Sequence, residues 1–441
     1  MNEITPLHVA IIGAGPSGYY AAEALTKANE TAHIDIIDRL PTPYGLIRGG
    51  VAPDHQSIKG VVKRYEKASL HDNVRFVGNI EIGKDIRLQE LLEIYDAVII
   101  ATGAPLDRPL GIPGDDKAGV IGSARFVGWY NSHPDFTDLD PDLEIEDVVV
   151  VGNGNVAVDV ARVLAKTSGE MITSDLAPHA SERIHPSPIK NIYMLGRRGP
   201  IEGKFTPKEL GELGELERCV ALAKIDQIPQ EVEGIDDKEA NVKRKNLAHL
   251  QSFTQNTAGE KAINLHVEFY AKPVEILGQD HVTGIKLERT KVEDGQCIGT
   301  AEFFELPCQM VVACIGYKSE PIEGAAFNEG WSCFDNDEGR ISDRLYVVGW
   351  AKRGPSGTIG TNRPDAIAVV DKLLAETQPA NREGGSALDR IIKDRHINAV
   401  SFDDWKQIEA AEEARAAELH ADTPRVKFAN VKDMLEAAGK K

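Results

Sequence analysis

Two stretches of the chain share a pattern of a continuous apolar run, a glycine-rich turn and a helix-favouring run. The first consists of apolar residues at 7–12, a turn at 13–18 and an alanine-rich run at 19–27. The second begins with four valines at 148–151 and continues into a turn at 152–157. Apolar runs without polar alternation are typical of buried parallel strands. The pattern therefore predicts two separate strand–turn–helix units.

Five further short apolar runs have the character of buried strands. They lie at 34–37, 97–101, 192–195, 310–314 and 345–348, and each ends near a glycine or a polar residue. The alternation of such strands with helical runs predicts an α/β fold with doubly wound parallel sheets.

Segments of different composition lie between and after these units. A proline- and glycine-rich stretch at 104–114 is the best position for a crossover between domains. Residues 167–190 are polar and contain prolines, and we interpret them as an insertion or a long loop. Residues 386–441 are charged and mostly helical in pattern, with the clearest helix at 408–419. We interpret this C-terminal part as a solvated appendage that packs on the rest.

The first turn has the spacing GxGxxG, formed by Gly13, Gly15 and Gly18. The first glycine permits a tight turn, the second lets the backbone approach a pyrophosphate, and the third lets the helix pack against the strand. Asp38 ends the next strand, at the distance where an acid binds a ribose 2′-hydroxyl. The alternative is that Asp38 caps a turn before Pro41. The context favours a dinucleotide with a free ribose hydroxyl.

The second turn carries Gly152, Gly154 and an alanine, Ala157, at the third position. The strand that follows it ends in Arg197 and Arg198 instead of an acid. Two guanidinium groups at this place suit a 2′-phosphate, which arginine binds in a bidentate manner. The two turns therefore predict FAD at the first and NADP at the second.

Two more turns have a composition that suits a cofactor. Thr102 and Gly103 follow the strand at 97–101, and glycine-rich residues at 349–360 follow the strand at 345–348. Backbone N–H groups in such turns can approach a flavin or a nicotinamide. Each could also be an ordinary strand-ending turn. Their order along the chain favours the interpretation that both turns contact a cofactor.

The composition excludes several classes of protein. The net charge of −19 argues against general binding to nucleic acid or to an anionic membrane. No apolar run approaches the length of a membrane span, and residues 1–7 do not resemble a signal peptide. No CxxC pair occurs, which argues against a disulfide framework, an iron–sulfur cluster or a dithiol centre. The cysteines are Cys219, Cys297, Cys308, Cys314 and Cys333. We expect a cytoplasmic location and no bound metal.

These motifs make the chain resemble the adrenodoxin reductase type of ferredoxin–NADP(+) reductase over nearly its whole length. The segments that carry the resemblance are 13–18, 43–55, 152–159, 196–200, 349–361 and 400–405. The segment PYGLIRGGVAPDH at 43–55 is far more specific than the glycine turns.

The resemblance implies a function and a set of contacts. The function is hydride transfer from NADPH to FAD, followed by single-electron transfer to a ferredoxin-type iron–sulfur protein. The implied FAD contacts, besides the first glycine turn, are Ser17, Asp38, Leu46, Ile82, Trp350, Gly357, Thr358 and Ile359. The implied NADP contacts are Asn153, Gly154, Asn155, Val156, Arg197, Arg198, Glu209 and Gly357. The family commonly has glutamate where Asp38 stands, and the shorter side chain still accepts hydrogen bonds from hydroxyls.

The same resemblance implies a nested arrangement of two Rossmann-like domains. The FAD domain would comprise 1–104 and 332–441, with the C-terminal helical tail in its second part. The NADP domain, 105–331, would be inserted between them, in agreement with the crossover at 104–114.

Three side chains are candidates for managing protons, namely His55, Asp159 and Glu212. A histidine exchanges a proton near neutral pH, and a carboxylate fixes its tautomer. The alternatives are a turn-capping contact for His55 and stabilisation of a helix N-terminus for Asp159.

Two other functions fit parts of the sequence. One is the NADPH-oxidising module of a complex similar to glutamate synthase. That relative usually carries a cysteine-rich cluster segment ahead of its first glycine turn, whereas Gly13 here comes almost at the start and no cysteine precedes it. The other is a non-catalytic redox sensor that binds nucleotides, which NADPH-driven turnover would exclude.

The expected partner is a small acidic ferredoxin, docked through a local basic patch. Lys59, Lys63 and Lys67 would share one face of a helix, with Arg64 beside them. A second cluster, Lys243, Arg244 and Lys245, falls in the NADP region and is the alternative docking site. Both clusters could also be solvated faces.

Overall fold

A computed structural model describes residues 5–232 and 237–440 and divides into two compact units. The first unit comprises Met1–Leu106, Asn131–Asp135 and Tyr317–Lys441, and the second comprises Asp107–Tyr130 and Phe136–Gly316.

Strands of both units include the apolar runs predicted from the sequence and several further segments. They are β1 (His8–Ile12), β2 (His33–Ile37), β3 (Val74–Val77), β4 (Ala97–Ile100), β5 (Leu106–Asp107), β6 (Val120–Gly122), β7 (Asp147–Val151), β8 (Asn191–Leu195), β9 (Cys219–Ala223), β10 (Ile263–Glu268), β11 (Ala271–Leu277), β12 (Gly284–Glu293), β13 (Gln296–Pro307), β14 (Met310–Ala313), β15 (Tyr317–Lys318), β16 (Phe327–Asn328), β17 (Cys333–Phe334), β18 (Arg340–Ser342) and β19 (Leu345–Val347).

Helices alternate with these strands. They are α1 (Pro16–Ala28), α2 (Leu46–Gly49), α3 (Gln56–Lys59), α4 (Val62–Ser69), α5 (Leu88–Ile94), α6 (Ser123–Tyr130), α7 (Asn155–Ala165), α8 (Pro178–Ile184), α9 (Pro207–Glu212), α10 (Asp237–Phe253), α11 (Trp350–Arg353), α12 (Asn362–Glu376), α13 (Gly385–Asp394), α14 (Phe402–Leu419) and α15 (Val431–Ala437). Among the residues that the structure describes, no helix combines the length and the hydrophobicity needed to cross a membrane.

The first unit is built on a six-stranded sheet with the order β18-β19-β4-β1-β2-β3. Its strands are parallel except for β18, which runs antiparallel to β19. The central strands are buried on both faces because α1 and α12 cover one face of the sheet and α5 and α13 cover the other. The predicted doubly wound parallel architecture is therefore present in this unit.

The second unit is built on a six-stranded sheet with the order β6-β14-β7-β8-β10-β9. The observed pairs are all parallel. The segment 167–190, interpreted as an insertion or a long loop, contains the helix α8. Apolar residues of this helix, Ala180 and Ile184, are fully buried in the core of the unit.

A three-stranded antiparallel sheet in the second unit was missed by the sequence analysis. It has the order β11-β12-β13, and β12 and β13 form a long hairpin. The hairpin turns at Asp294 and Gly295, which have φ angles of 50° and 73°. An Asp-Gly pair between two β-favouring runs is a strong signal for this type of turn, so the hairpin was predictable.

The C-terminal part is less solvated than the sequence analysis expected. Trp405 and Ile408 of α14 and Met434 of α15 are at most 1% exposed and belong to the apolar core of the first unit. The mixed composition of α14 did not indicate this burial, because a single apolar stripe along a helix is enough to pack it against a core.

The compact units differ from the expected domain boundaries. The chain passes into the second unit at 106–107, close to the expected boundary at 104–105. It returns at Tyr317, not near 331, because β16, paired with β17, contributes Phe327 to a core cluster of the first unit. Residues 131–135 also belong to the first unit.

Candidate functional site

The carboxyl ends of four parallel strands of the first unit bring its predicted cofactor residues to one edge. Ile12 of β1 is in register with Ile37 of β2 and with Ile100 of β4, which is itself in register with Val347 of β19. The glycine turn, Asp38, Thr102 and the 349–360 segment follow these strand ends. Their convergence at this edge results from the parallel topology, and such edges are where open α/β sheets bind ligands.

The three glycines of the first turn have the different roles that the spacing predicts. Gly13 has a φ of 111°, and a Cβ there would lie 2.6 Å from the carbonyl oxygen of Ala101. A Cβ at Gly18 would lie 2.1 Å from the carbonyl oxygen of Gly13. A Cβ at Gly15, by contrast, would meet only the Cα of Gly45 at 4.0 Å. Gly15 therefore borders open space, as the backbone approach of a pyrophosphate requires.

The side chain of Asp38 is hydrogen-bonded to the first glycine turn. Its carboxylate accepts hydrogen bonds from the N–H groups of Ala14, at 2.7 Å, and Leu40, at 2.9 Å. Burial raises the pKa of Asp38, and the two N–H donors act in the opposite direction. Each carboxylate oxygen has a second lone pair, so the side chain can still accept hydroxyl hydrogen bonds.

Two contacts tie the other strand ends to the same edge. A Cβ at Gly349, whose φ is 72°, would lie 2.0 Å from the hydroxyl oxygen of Ser17, so this glycine and Ser17 are packed against each other. The buried hydroxyl of Thr102 has no hydrogen-bond partner among the described residues. A buried polar atom without a partner fits a site that a bound group completes.

The segment after β19 forms a turn that leads into α12. Trp350 donates its ring N–H to the carbonyl of Ser356 at 3.1 Å and stacks on Tyr317, with 6.1 Å between the ring centroids. Gly357 has a φ of 83°, and both Gly357 and Thr358 are exposed immediately before the helical turn that starts at Ile359.

The remaining candidates of the first unit lie on short elements. Leu46, the first residue of α2, is 41% exposed, and Ile82 is half-buried in the loop after β3. His55 is buried, and its carbonyl accepts the N–H groups of Ile58 and Lys59 at the start of α3. The structure thus supports a capping role for the backbone of His55.

The second glycine turn repeats the geometry of the first. Gly152 has a φ of 142°, and its N–H donates to the carbonyl of Leu195 at 2.8 Å. A Cβ at Gly154 would meet only the Cβ of Lys204 at 4.0 Å, so this position also borders open space. The side-chain oxygen of Asn153 is buried and has no hydrogen-bond partner in the described part of the chain. Asn155 and Val156 open α7 directly after this turn.

Arg197 and Arg198 lie in the turn after β8, next to this glycine turn in the same sheet edge. Arg197 is exposed and Arg198 is half-buried. Neither guanidinium group takes part in an ion pair among residues 5–232 and 237–440. Two unpaired cations at the carboxyl edge of a parallel sheet fit the recognition of a phosphate.

Asp159 and Glu212 meet at a buried arginine that the sequence analysis missed. Arg162 is fully buried, and its guanidinium contacts Asp159 at 2.9 Å and Glu212 at 3.3 Å. The i,i+3 spacing of Asp159 and Arg162 in α7 was the available signal. Glu209, also buried, lies in the first turn of α9, where its N–H donates to the hydroxyl of Thr206 at 3.4 Å. His55 belongs to the first unit, and these carboxylates belong to the second.

The predicted basic patches are wrong in two of their members. Lys59 lies in α3, is only 8% exposed and is separated by Gly60 from α4, so it does not share an open face with Lys63 and Lys67. Lys243 is also 8% exposed and donates to the carbonyl of Gly203 at 2.8 Å, and burial lowers its pKa.

The other members of the two clusters remain on the surface. Lys63, Lys67, Arg244 and Lys245 are exposed. Arg64 pairs with Glu23 at 2.7 Å, which offsets its charge.

The chain is similar to known proteins both in its match to a family model and in its full-length sequence. Residues 7–198 match the family model described as pyridine nucleotide-disulphide oxidoreductase. The chain is 37% identical to the mitochondrial NADPH:adrenodoxin oxidoreductase of Arabidopsis thaliana over 98% of this chain and 95% of that protein. It is 39% identical to the NADPH-ferredoxin reductase FprA of Mycobacterium leprae over 97% of both proteins. The chain belongs to this reductase family.

A solved structure of the family supports the same assignment. Mycobacterium tuberculosis FprA in complex with NADPH is 38% identical and has a TM-score of 0.92, over 98% of this chain and 99% of that one. The resemblance to the adrenodoxin reductase type and the α/β fold with Rossmann-like domains are therefore confirmed.

Asp365, in the first turn of α12, is a further residue beside the strand ends of the first unit, and the sequence analysis missed it. Its carboxylate accepts the N–H of Gly349 at 2.6 Å and pairs with Lys352 and Arg353 at 3.0 and 3.1 Å. An acid in the first turn of a helix is common for electrostatic reasons alone, so nothing in the local sequence distinguished Asp365.

Proposed function

We propose that this chain is an FAD-dependent reductase that takes electrons from NADPH and passes them singly to a ferredoxin-type iron–sulfur protein. The observation that carries the proposal is the pair of unlike dinucleotide turns. One turn contacts a carboxylate, Asp38, and the other lies beside two guanidinium groups, Arg197 and Arg198, that form no ion pair with any residue the structure describes. FAD, when bound, supplies the conversion of a two-electron input into single-electron output.

Residues of the first unit hold FAD in this proposal. Gly13, Gly15 and Gly18 bring backbone N–H groups and the N-terminus of α1 to the pyrophosphate. Asp38 accepts from the ribose hydroxyls with the lone pairs that Ala14 and Leu40 leave available. The support is the open space at Gly15 and the buried, unpartnered hydroxyl of Thr102 in the described chain.

Other residues of the first unit shape the space for the flavin. Leu46 and Ile82 supply apolar contact, and Trp350 supplies an aromatic face that is held by Tyr317. The residues Gly357, Thr358 and Ile359 present backbone N–H groups before α12. Ser17 fixes the distance of β19 from α1 through its contact with Gly349.

Residues of the second unit hold NADP. Asn153, Gly154, Asn155 and Val156 surround the pyrophosphate at the N-terminus of α7, and Arg197 and Arg198 bind the 2′-phosphate. Glu209 and Gly357 are also proposed as NADP contacts, on the basis of the family resemblance alone.

Proton management is proposed for His55, Asp159 and Glu212. The buried guanidinium of Arg162 contacts both Asp159 and Glu212 and fixes their orientation. The proposed role of these carboxylates is to orient the groups around them, and His55 is the side chain that we propose exchanges the proton.

The partner in this proposal is a small acidic iron–sulfur protein. Docking would use the exposed pair Lys63 and Lys67 on α4, or the exposed pair Arg244 and Lys245 on α10. Opposed charges would speed the encounter and orient the partner more than they would raise affinity. A cytoplasmic location also stays a prediction, since the similar proteins include mitochondrial ones.

Anaerobic titration of the FAD-loaded protein with NADPH tests this function. NADPH should bleach the flavin absorbance, and NADH at the same concentration should do so much more slowly. The bleached protein, mixed with an oxidised plant-type ferredoxin, should then reduce the ferredoxin and recover its colour. A flavin that NADPH does not bleach would identify a non-catalytic sensor and overturn the proposal.

A further inference from the structure

The turn that carries Arg197 and Arg198 is held through its backbone carbonyl groups. The carbonyl of Gly196 accepts the N–H of Ala271 at 2.9 Å, and that of Arg198 accepts the N–H of Tyr270 at 3.2 Å. The carbonyl of Arg197 accepts two side-chain donors, the hydroxyl of Thr290 at 2.7 Å and the thiol of Cys297 at 2.9 Å. These three residues of the turn are thus all tied to the strands of the three-stranded sheet or to the residue before it.

The hairpin formed by β12 and β13 places the two side-chain donors on one face. Thr290 pairs with Gly299, and Val292 pairs with Cys297. Because Thr290 and Val292 are two residues apart, their side chains point to the same side, and Cys297 lies diagonally across from Thr290. A register shift between Glu288 and Thr290 determines which side chains of the hairpin lie on this face. Thr290 is 7% exposed, so its hydroxyl is buried against the turn.

The two donors fix the orientation of the backbone that carries the side chains of Arg197 and Arg198. A carbonyl oxygen has two lone pairs, and two donors on it define the plane of the peptide that joins Arg197 to Arg198. The guanidinium groups form no ion pair within the described ranges, so no acidic side chain aims them. Bidentate binding of a phosphate depends on the position and the plane of each guanidinium.

We infer that Thr290 and Cys297 are positioning residues for recognition of the coenzyme's 2′-phosphate. The inference rests on the proposed function, in which Arg197 and Arg198 bind that phosphate. The hydroxyl and the thiol do not touch the coenzyme in this arrangement. They hold the backbone from which both arginines reach it, and the three-stranded sheet serves as the support of the turn.

Substitutions that remove only the donor test the inference. Thr290→Val keeps the shape of the side chain and removes the hydroxyl, and Cys297→Ala removes the thiol. Each should raise the KM for NADPH about fivefold, the effect of one lost hydrogen bond, and should change the KM for NADH less. The rate is followed with ferricyanide on the FAD-loaded protein, so that no docking partner is involved. Calorimetry should find weaker binding of 2′,5′-ADP and little change for 5′-AMP.

Conservative variants and a matched control separate positioning from general damage. Thr290→Ser and Cys297→Ser keep a donor and should preserve the preference for NADPH. Thr254→Val removes a hydroxyl of the second unit that donates to the carbonyl of Gln251 at 2.8 Å, outside both the turn and the hairpin, and should also preserve it.

Three results would overturn the inference. They are an unchanged KM for NADPH in the Thr290→Val and Cys297→Ala double variant, an equal rise of the KM for NADPH and for NADH in that variant, and serine variants as impaired as the donor-free ones. Neutral replacement of Arg197 and Arg198 identifies which claim fails. If that replacement lowers the preference while the hairpin variants do not, only the positioning role is wrong. If it also has no effect, the proposed coenzyme site is wrong.

Discussion

At the scale of single residues, substitutions at Gly15 and Gly154 test the proposal that the first unit binds FAD and the second binds NADP. Their φ angles are −85° and −121°, so a larger residue is allowed by the backbone at both positions. Gly15→Val should give folded, colourless protein because the side chain enters the space of the pyrophosphate. Gly154→Val should stay yellow and lose its response to NADPH. Flavin absorbance and NADPH titration of both variants check this, and the opposite pattern would mean that the two sites are exchanged.

We expect coenzyme choice to be a residue-scale property as well, since the proposed 2′-phosphate site consists of Arg197 and Arg198. A hydrogen bond to a charged group contributes about 1.5–3 kcal/mol. Replacing either arginine with glutamine should therefore raise the KM for NADPH tenfold or more and leave the KM for NADH nearly unchanged. Steady-state kinetics with both coenzymes measure the ratio. A double variant with the original preference would contradict the assignment of the 2′-phosphate site.

At the scale of elements, α14 fastens the segment 43–55 to the core of the first unit. Glu412 of α14 is fully buried and pairs with Arg48, which is 10% exposed, through two hydrogen bonds, one of them at 2.8 Å. Arg425 and the N–H of Phe428 contact the same carboxylate at 3.3 and 2.9 Å. Arg48 and Arg425 also lie over the ring of Trp405. The C-terminal helices thus stabilise the segment that carries Leu46 and His55.

This ion pair makes the stability of the first unit depend on pH. Burial raises the pKa of Glu412, but Arg48 and Arg425 outweigh burial, and the pKa lies below its ordinary value of 4.5. A depressed pKa adds stability that is complete above 4.5 and is lost as the pH falls through the folded-state value. Glu412→Gln should cost about 3 kcal/mol at pH 7, because Arg48 loses its buried counter-charge.

Urea unfolding at neutral and acidic pH measures this effect. The difference between the wild type and Glu412→Gln should shrink as the pH falls, since protonation removes the same charge from the wild type. Glu413→Gln is the matched control, because Glu413 is 58% exposed and lies 3.7 Å from Arg425. It should change stability by less than about 0.5 kcal/mol. A difference for Glu412→Gln that stays constant with pH would exclude the charge as its cause.

At the scale of the whole molecule, the net charge of −19 opposes an acidic partner unless local cations guide it. The Debye length falls from about 10 Å at 0.1 M salt to about 3 Å at 1 M. Reduction of ferredoxin should therefore slow steeply with salt, whereas reduction of a small neutral acceptor should hardly change. Stopped-flow rates with both acceptors measure the difference.

Charge reversal locates the docking surface on the molecule. Lys63→Glu with Lys67→Glu, or Arg244→Glu with Lys245→Glu, should reproduce at low salt the slow rate seen at high salt. Lys393→Glu, at an exposed lysine of α13, is the control and should leave the rate within about twofold. Ferredoxin turnover that is indifferent to both pairs and to salt would contradict docking by charge.

The sequence by itself determined the two glycine turns, the strands around them and the difference between their cofactors. These features are local, because a glycine at a positive φ, an adjoining buried strand and an acid or arginine at the next strand end lie within some tens of residues. Gly13 and Gly152 have the φ angles that such turns require. The most specific signal, PYGLIRGGVAPDH, is also a continuous segment.

Only the tertiary structure decided how distant residues meet. It buried Lys59 and Lys243, which sequence spacing had assigned to open surfaces, and it joined Asp159 to Glu212 through Arg162. It also brought Thr290 and Cys297 to the carbonyl of Arg197, some hundred residues earlier in the chain. Burial and hydrogen bonds of this kind depend on packing between elements, and no period or spacing in the chain records which elements will be neighbours.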